Sequence, residues 1–478
     1  MIALPVAEIG ALLGAEVTGP GDRQRLVTAV AADSRAIAPG ALFVALPGER
    51  ADGHRFVAAA YAAGAAAALT RHPVDTALCV VVADPLVALG RLARNLVDRA
   101  VTGGLQVVAI TGSQGKTSTK DLLGQVLESV GPTVAPVGNL NNELGVPLTV
   151  SRIDEDTRYL VAEMGARGVG HIAYLCDIAP PRVGVVLNVG QAHVGEFGGQ
   201  PAIAQAKGEL VEALPADGVA VLNAGDPLVW SMRQRSSASV LAFSAVGRPE
   251  GPGVWASALV SDRFGRYAFR LQQAGGTGDS QAELEVQLQV AGRHQVGNAL
   301  AAAGAALALG LPLADIATGL SAAVSRSRWR MELHERADGV TVINDAYNAN
   351  PDSMHAAVDT LAELGRGGAR RTWAVLGDMR ERGETAPAAH AAVGRFVAER
   401  GIDRLVAVGD YADTMVAAAQ DAGLSGPHAA RVGPDKAGAT EWLRAGLGPG
   451  DVVLVKASRG LALDTVADEI LAFGGDQT

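Results

Sequence analysis

The chain holds only two cysteines, Cys79 and Cys176, in 478 residues. That scarcity excludes a disulfide framework or a cysteine-built zinc site and suits a reducing cytoplasm. Aromatic residues make up 4%, so alanine, valine and leucine carry most of the 49% apolar content. Positive charge is in deficit: 40 Lys and Arg against 50 Asp and Glu leave a net charge of -10. A nucleic-acid partner, which needs a broad basic surface, is therefore not expected. No basic region precedes the apolar N-terminal stretch MIALPVAEIGALLGAEV, and its Glu8 and Glu16 fit an amphipathic helix better than a signal peptide. The alanine- and glycine-dominated stretch Gln295 to Pro312 falls short of the roughly 20 residues that span a bilayer. Its alanines and glycines predict a buried helix and no membrane span.

What is present is alternation. The length suggests about three domains, and the patterns predict an α/β protein divided at 1–102, 103–328 and 329–478. The first unit mixes strand-like runs such as ALFVAL with alanine-rich helices. It closes on a helix with Asp84 as N-cap, Pro85 at the first position and Leu86, Leu89, Leu92 and Leu96 on one face. The second alternates buried-strand runs LQVVAI, RYLVAEM and RVGVVLN with helices, the pattern of a parallel sheet. LAFSAV, VWASALV, YAFRLQ and LEVQLQV, between about 238 and 290, predict an antiparallel insertion. The third repeats the alternation through TVINDAY, TWAVLGDM, RLVAVGD and DVVLVKAS, a Rossmann-like arrangement without a GxGxxG fingerprint.

The sharpest motif runs from Ile110 to Ser118, ITGSQGKTS, after the strand LQVVAI and before a helix. Strand, glycine loop and helix in that order make a phosphate site. Backbone N–H groups of Gly112, Ser113, Gln114 and Gly115 can curl around phosphate oxygens, Lys116 can neutralise a transferred phosphate, and Thr117 and Ser118 open the helix, Thr117 as a magnesium ligand. The alternative is a bare glycine turn. Glu163 at the end of RYLVAEM, His193 after RVGVVLNVGQ and Lys207 within AIAQAKGELVEAL stand where metal ligands would fall, although a protonated lysine cannot bind a cation and reads, alone, as one exposed helix charge.

Together these residues resemble the Mur ligase superfamily over nearly the whole chain. In that family a TGxxGKT[ST] loop binds ATP in the central domain. The resemblance matches Glu163, the stretch Asn188 to His193 and Lys207 to a magnesium-binding set in which the lysine is carbamylated. Thr117 and Glu163 would hold one magnesium, and Glu163, His193 and the Lys207 carbamate the second. GNLNNELGVPLT, NDAYNANPDSM, VLGDM and VKASRG are similar to the branch that adds D-alanyl-D-alanine to a UDP-N-acetylmuramoyl-tripeptide.

The resemblance implies UDP-substrate contacts at Ser34, Arg35, Asn139, Asn141 and Asn142, with Asp52 and His54 shaping the same N-terminal loop. It implies ATP contacts at His294, Asn298, Arg330 and Asp345, and dipeptide or closed-state contacts at Asn348, Asn350, Asp352, Lys456 and Arg459. The chain departs from the pattern at Gln295, where the family carries asparagine, at Ala457 within the usual KGSRG, and at Arg380 and Arg382. The implied reaction activates the tripeptide carboxylate with ATP as an acyl phosphate, which the dipeptide amine then attacks. Two rivals are a folylpolyglutamate synthase-like ligase, which would lack the DSR and DGH motifs of the first unit, and a non-enzymatic ATP switch, which would need only the loop. A monomer is expected. The third stem residue is left open between meso-diaminopimelate and lysine.

Overall fold

The computed structural model describes residues 1–48, 51–190, 199–275, 281–366, 370–433 and 436–473. His193 lies outside them. Three sheets succeed one another along the chain, of five, nine and six strands, beside a two-stranded ribbon of Leu4–Pro5 and Leu26–Val27.

The first sheet runs from Glu16–Thr18 through Cys79–Val81, Ala67–Thr70 and Ala41–Val44 to Ala29–Ala31, and only its Glu16–Thr18 edge is antiparallel. The expected N-terminal helix is present at Val6–Leu13, burying Val6, Ile9 and Leu13 and ending at Gly14, whose φ of 62° only glycine adopts freely. Helix Pro85–Thr102 starts as its sequence predicts: the Asp84 carboxylate accepts from the backbone N–H groups of Leu86 and Val87. Its Leu89, Leu92 and Leu96 share one core with Leu42 and Val44 of the first sheet and with Leu175 and Ile178 of the central unit. The helix therefore belongs to both units at once.

The central sheet places Gln106–Thr111 between Val183–Val186 and Tyr159–Glu163, all parallel. The antiparallel part is narrower than the sequence suggests. Ser239–Ser244 (from LAFSAV) pairs parallel with Val219–Asn223 and with Gly253–Ser261. Only Gly253–Ser261, Arg266–Ala274 and Gln281–Ala291 form the antiparallel section, continuous with the same sheet. Residue alternation reports which face is buried but not strand direction. Here the direction follows from a crossover through helical turns at Pro227–Ser231 and Met232–Arg235. The alanine-rich segment is a buried helix, His294–Ala308, packed over the sheet beside Lys116–Glu128 and Leu313–Ala322. At Gly304 even a methyl group would come within 2.8 Å of Val221 Cγ1. No described helix is long and apolar enough to cross a membrane.

The third sheet runs Glu332–Glu335, Thr341–Asn344, Val452–Lys456, Thr372–Gly377, Arg404–Val408, Ala429–Val432, antiparallel only in its first pair. Helices Pro351–Gly365, Ala386–Glu399 and Ala412–Asp421 cover one face, and Ala437–Gly446 and Asp464–Ala472 the other. Helix Pro351–Gly365 also meets the central hairpin: Glu363 Oε1 accepts from Ser261 Oγ at 2.7 Å and from the Tyr267 hydroxyl at 2.6 Å. Burial, and then this carboxylate, push the Tyr267 phenol up to about 12.

Candidate active site

A cavity of about 720 Å³ opens between the central and C-terminal units, at the carboxyl end of the strand Gln106–Thr111. Its floor is the loop Gly112 to Ser118. Gly115, the residue before helix Lys116–Glu128, has φ +83°, and a Cβ there would come within 2.4 Å of Asn298 Oδ1. The close fit of Asn298 beneath the loop thus requires glycine. Asn298 Nδ2 donates in turn to Gln295 Oε1 at 2.8 Å, so the glutamine at the departing position still serves as its partner.

Asn188 secures the loop from the neighbouring strand: its Oδ1 accepts from Gln114 N at 3.0 Å and its Nδ2 donates to Gln114 O at 3.1 Å. Ser113 Oγ accepts from Gly190 N at 2.9 Å, which leaves its own backbone oriented by the same wall. Lys116 Nζ donates to Gly112 O at 2.7 Å and lines the cavity. Burial pushes its amine below the usual lysine range, against the pull of nearby Glu163.

Glu163 ends its strand in register with Ile110, which sets its carboxylate beside the loop. It is 1% exposed. Asn141 Nδ2 donates to its Oε1 at 2.8 Å, while Oε2 is buried without a partner among the described residues. A carboxylate oxygen left dry and unpaired is costly unless a cation completes it.

Lys207 also lines the cavity and is not the exposed helix charge its sequence context suggests: it is 5% exposed. Helix Gln200–Glu212 turns this face inward, and two residues on Glu209 accepts from Gly170 N and Ala173 N at the start of helix His171–Ile178. Burial, and then the charge of Lys116, hold the Lys207 amine well below its usual range. No hydrogen bond reaches its Nζ among the described residues.

Among the described residues no three of His, Cys, Asp and Glu group closely enough to hold a cation. Thr117 and the unpaired Glu163 oxygen nevertheless fit magnesium, which takes one or two protein oxygens and completes its shell with phosphate and water. Lys207 fits only as a carboxylate-bearing carbamate.

Above the loop, Arg330 lies 4.1 Å over the Tyr347 ring and its Nη2 reaches 3.5 Å from Thr117 Oγ1. His294 opens its helix at the cavity wall with Nδ1 unpartnered among the described residues, and burial lowers its pKa. Asp345 is fully engaged: Oδ1 accepts from Met331 N at 3.1 Å and Oδ2 from Lys456 Nζ at 2.6 Å. Lys456 also donates to Asn348 O at 2.9 Å, so this lysine and Asp345 form a buried pair rather than two free contacts.

Asn350 lines the cavity but its side chain caps helix Pro351–Gly365 in a box with Ser353. Arg459 stacks 4.0 Å over Trp329 and pairs with Asp464 at 2.6 Å. Asp352 stands at the seam, where a Cβ on Gly190 would come within 2.2 Å of its Oδ2.

Asn139, Asn141 and Asn142 line this same cavity, with Asn142 Oδ1 accepting from Gly145 N at 2.8 Å. Ser34, Arg35, Asp52 and His54 do not line it. Arg35 is exposed and bonded to Asp33, whose carboxyl it holds down near 2. His54 spends both ring nitrogens on structure: Nδ1 donates to Asp52 Oδ1 at 2.8 Å and Nε2 accepts from Arg71 N at 2.9 Å. Sequence reasoning missed Tyr347, although it sits inside NDAYNANP beside residues that were singled out.

Three family models match successive segments of the chain. Residues 26–96 match the Mur ligase family catalytic domain, 110–306 the Mur ligase middle domain and 329–459 the Mur ligase glutamate ligase domain. The UDP-N-acetylmuramoyl-tripeptide--D-alanyl-D-alanine ligase of Mycobacterium tuberculosis is 46% identical, with 99% of this chain and 98% of that protein aligned. The Escherichia coli enzyme of the same name is 36% identical over 98% of each. Among solved structures, MurF from Acinetobacter baumannii superposes with a TM-score of 0.85 at 31% identity, covering 98% of this chain and 99% of that one. MurF ligase from Thermotoga maritima in complex with ADP gives 0.78 at 26% identity, covering 95% and 99%.

Proposed function

This chain belongs to the Mur ligase family, and from that premise we infer that it is the ATP-dependent ligase that joins D-alanyl-D-alanine to UDP-N-acetylmuramoyl-tripeptide in peptidoglycan synthesis. The observation that carries the reading is one cavity in which the phosphate loop, the half-paired Glu163 and the edge of the C-terminal sheet all meet.

A carboxylate does not form an amide with an amine at useful rates, so the reaction first converts it to an acyl phosphate. The loop N–H groups and Lys116 hold the γ-phosphate in line with the tripeptide carboxylate and offset the charge that develops on transfer. Desolvation strengthens that interaction, because the cavity floor is screened less than bulk water. The dipeptide amine then attacks the acyl carbon and phosphate leaves. Residues of the C-terminal unit, Asn348, Asn350 and Arg459, line the cavity on the side from which that amine would approach, and Asp352 stands beside them at the seam with Gly190. Arg330, His294, Asn298 and the Asp345–Lys456 pair form the nucleotide side.

Magnesium, when bound, supplies Lewis-acid charge to the phosphates. Thr117 and Glu163 would hold one ion, and Glu163, His193 and a carbamylated Lys207 a second. Burial, which holds the Lys207 amine well below its usual range, favours the neutral form that combines with carbon dioxide. We assign the three units to residues 1–102, 103–328 and 329–478, with the UDP end of the substrate on the first. A monomer is part of the same proposal, and the scarcity of cysteine supports a cytoplasmic enzyme.

The deciding experiment measures phosphate release from ATP with each UDP-tripeptide, with and without D-alanyl-D-alanine. Release that requires both substrates is expected, and release indifferent to the dipeptide would return the protein to a simple ATP switch. The same assay with diaminopimelate- and lysine-containing tripeptides identifies the third residue. The half-buried Ser34 and the exposed Arg35 lie apart from the nucleotide cavity. Ser34→Ala or Arg35→Ala should accordingly raise the KM for the UDP-tripeptide and leave that for ATP nearly unchanged; equal effects on both would refute a separate UDP site.

A further inference from the structure

Helix Lys116–Glu128 is fastened along its length to the segment that leads into the C-terminal unit. Gln125 Nε2 donates to Val324 O at 2.8 Å and its Oε1 accepts from Val324 N at 3.1 Å. Arg326 forks onto Glu128 at 2.7 and 2.6 Å. At the inner end Asp121 Oδ2 accepts from Ser327 N at 2.9 Å. Beside it Lys120 Nζ donates to Asp121 Oδ1 at 2.5 Å, Pro136 O at 2.9 Å and Ser327 Oγ at 3.3 Å. Lys120 and Asp121 are 2% and 7% exposed.

Immediately beyond Ser327 the backbone changes character. Trp329 and Met331 hold φ of +59° and +52°, a region bulky side chains rarely enter. Both are tied to the C-terminal unit, Trp329 N to Glu332 Oε2 at 3.0 Å and Met331 N to Asp345 Oδ1 at 3.1 Å. Arg330 projects between them toward Thr117.

We propose that the buried Lys120–Asp121 pair is a positioning device for the ligase reaction: it fixes the chain through Ser327 to the nucleotide-binding helix, confines movement of the C-terminal unit to residues 328–331, and so sets where Arg330 meets the nucleotide. A buried ion pair is no more stabilising than apolar side chains of similar volume. What it adds is direction. The Lys120 ammonium and Asp121 Oδ2 are each aimed at a particular backbone or hydroxyl group of a neighbouring segment. The same ammonium also holds Pro136 O, at the head of the segment that reaches Asn141 and hence Glu163. One pair thereby indexes both the metal-ligand side and the arginine side of the cavity to the helix that starts at Lys116. Neither residue lines the cavity, so their effect on substrate passes through others.

The inference rests on the reading of Arg330 as a nucleotide contact, and a double-mutant cycle separates the two. Arg330→Ala alone should raise the KM for ATP; no change would overturn both the contact and the device. Asp121→Asn, which removes the charge facing Lys120, should raise the KM for ATP about tenfold in the wild-type background, the scale of coupling between residues in one network. The KM for D-alanyl-D-alanine should stay within about twofold, since that scale applies only to coupled groups. In the Arg330→Ala background Asp121→Asn should add almost nothing. A purely structural role predicts the same loss in both backgrounds, and that result would overturn the proposal. Should Asp121→Asn fail to fold, the outer staples give a second route. Gln125→Ala combined with Glu128→Ala should shift the KM for ATP in the same direction and be silent in the Arg330→Ala background, and additivity there would equally refute it.

Discussion

Lys116→Ala is expected to cut ATP-dependent ligation by about 100- to 1,000-fold, the cost of removing one preorganised charge or donor from a transferring group. The lysine lies at the start of its helix with its amine returned to Gly112 O, ready to exchange that carbonyl for phosphate oxygens. Alanine leaves the loop N–H groups and the helix terminus in place, so nucleotide still binds while the charge developing on the transferred phosphate goes uncompensated. The loss should therefore appear chiefly in kcat. Arginine is not expected to restore the rate, because its planar fork cannot stand in for a compact ammonium at this buried position. Ordinary turnover by a folded Lys116→Ala protein would sink the phosphate-loop assignment.

Lys207→Ala should lose most activity while keeping the fold, since truncation removes a buried amine that makes no hydrogen bond among the described residues. Chemical rescue discriminates between its two possible roles. A short carboxylic acid can enter the vacated space and supply the oxygen ligands of a carbamate, but it cannot replace an ammonium. Acetate should thus restore part of the rate in Lys207→Ala and none in Lys116→Ala. Full activity of Lys207→Ala without additives would show that the carbamate is not needed.

The parts legible in the sequence were those written in consecutive residues. The phosphate loop, the Asp84–Pro85 helix start and the placement of Glu163 at a strand end all follow from local chemistry. Strand direction at Ser239–Ser244 was not legible, because periodicity marks faces and not partners. Nor was the burial of Lys207, which depends on which way helix Gln200–Glu212 faces a sheet made of distant segments. The pairing of Asp345 with Lys456 joins the residue after one strand to the last residue of another and has no local signature. Asn350 also has a structural role that is legible locally, since Asn-Pro-Asp-Ser is a capping box at the start of helix Pro351–Gly365.

Helix Pro85–Thr102, whose leucines sit in the first unit and the central unit together, bears on how the molecule opens. A boundary at residue 102 is a boundary in the chain but not in the cooperative unit. Fluctuations that release the first sheet must also strip cover from Leu175 and Ile178, so the two regions should exchange their most protected amides as one block. The same reasoning explains why a fragment starting after the helix would begin life with an apolar wound on its surface. The other junction is of a different kind, since the chain enters the C-terminal unit through a few residues of strained backbone rather than through a shared helix.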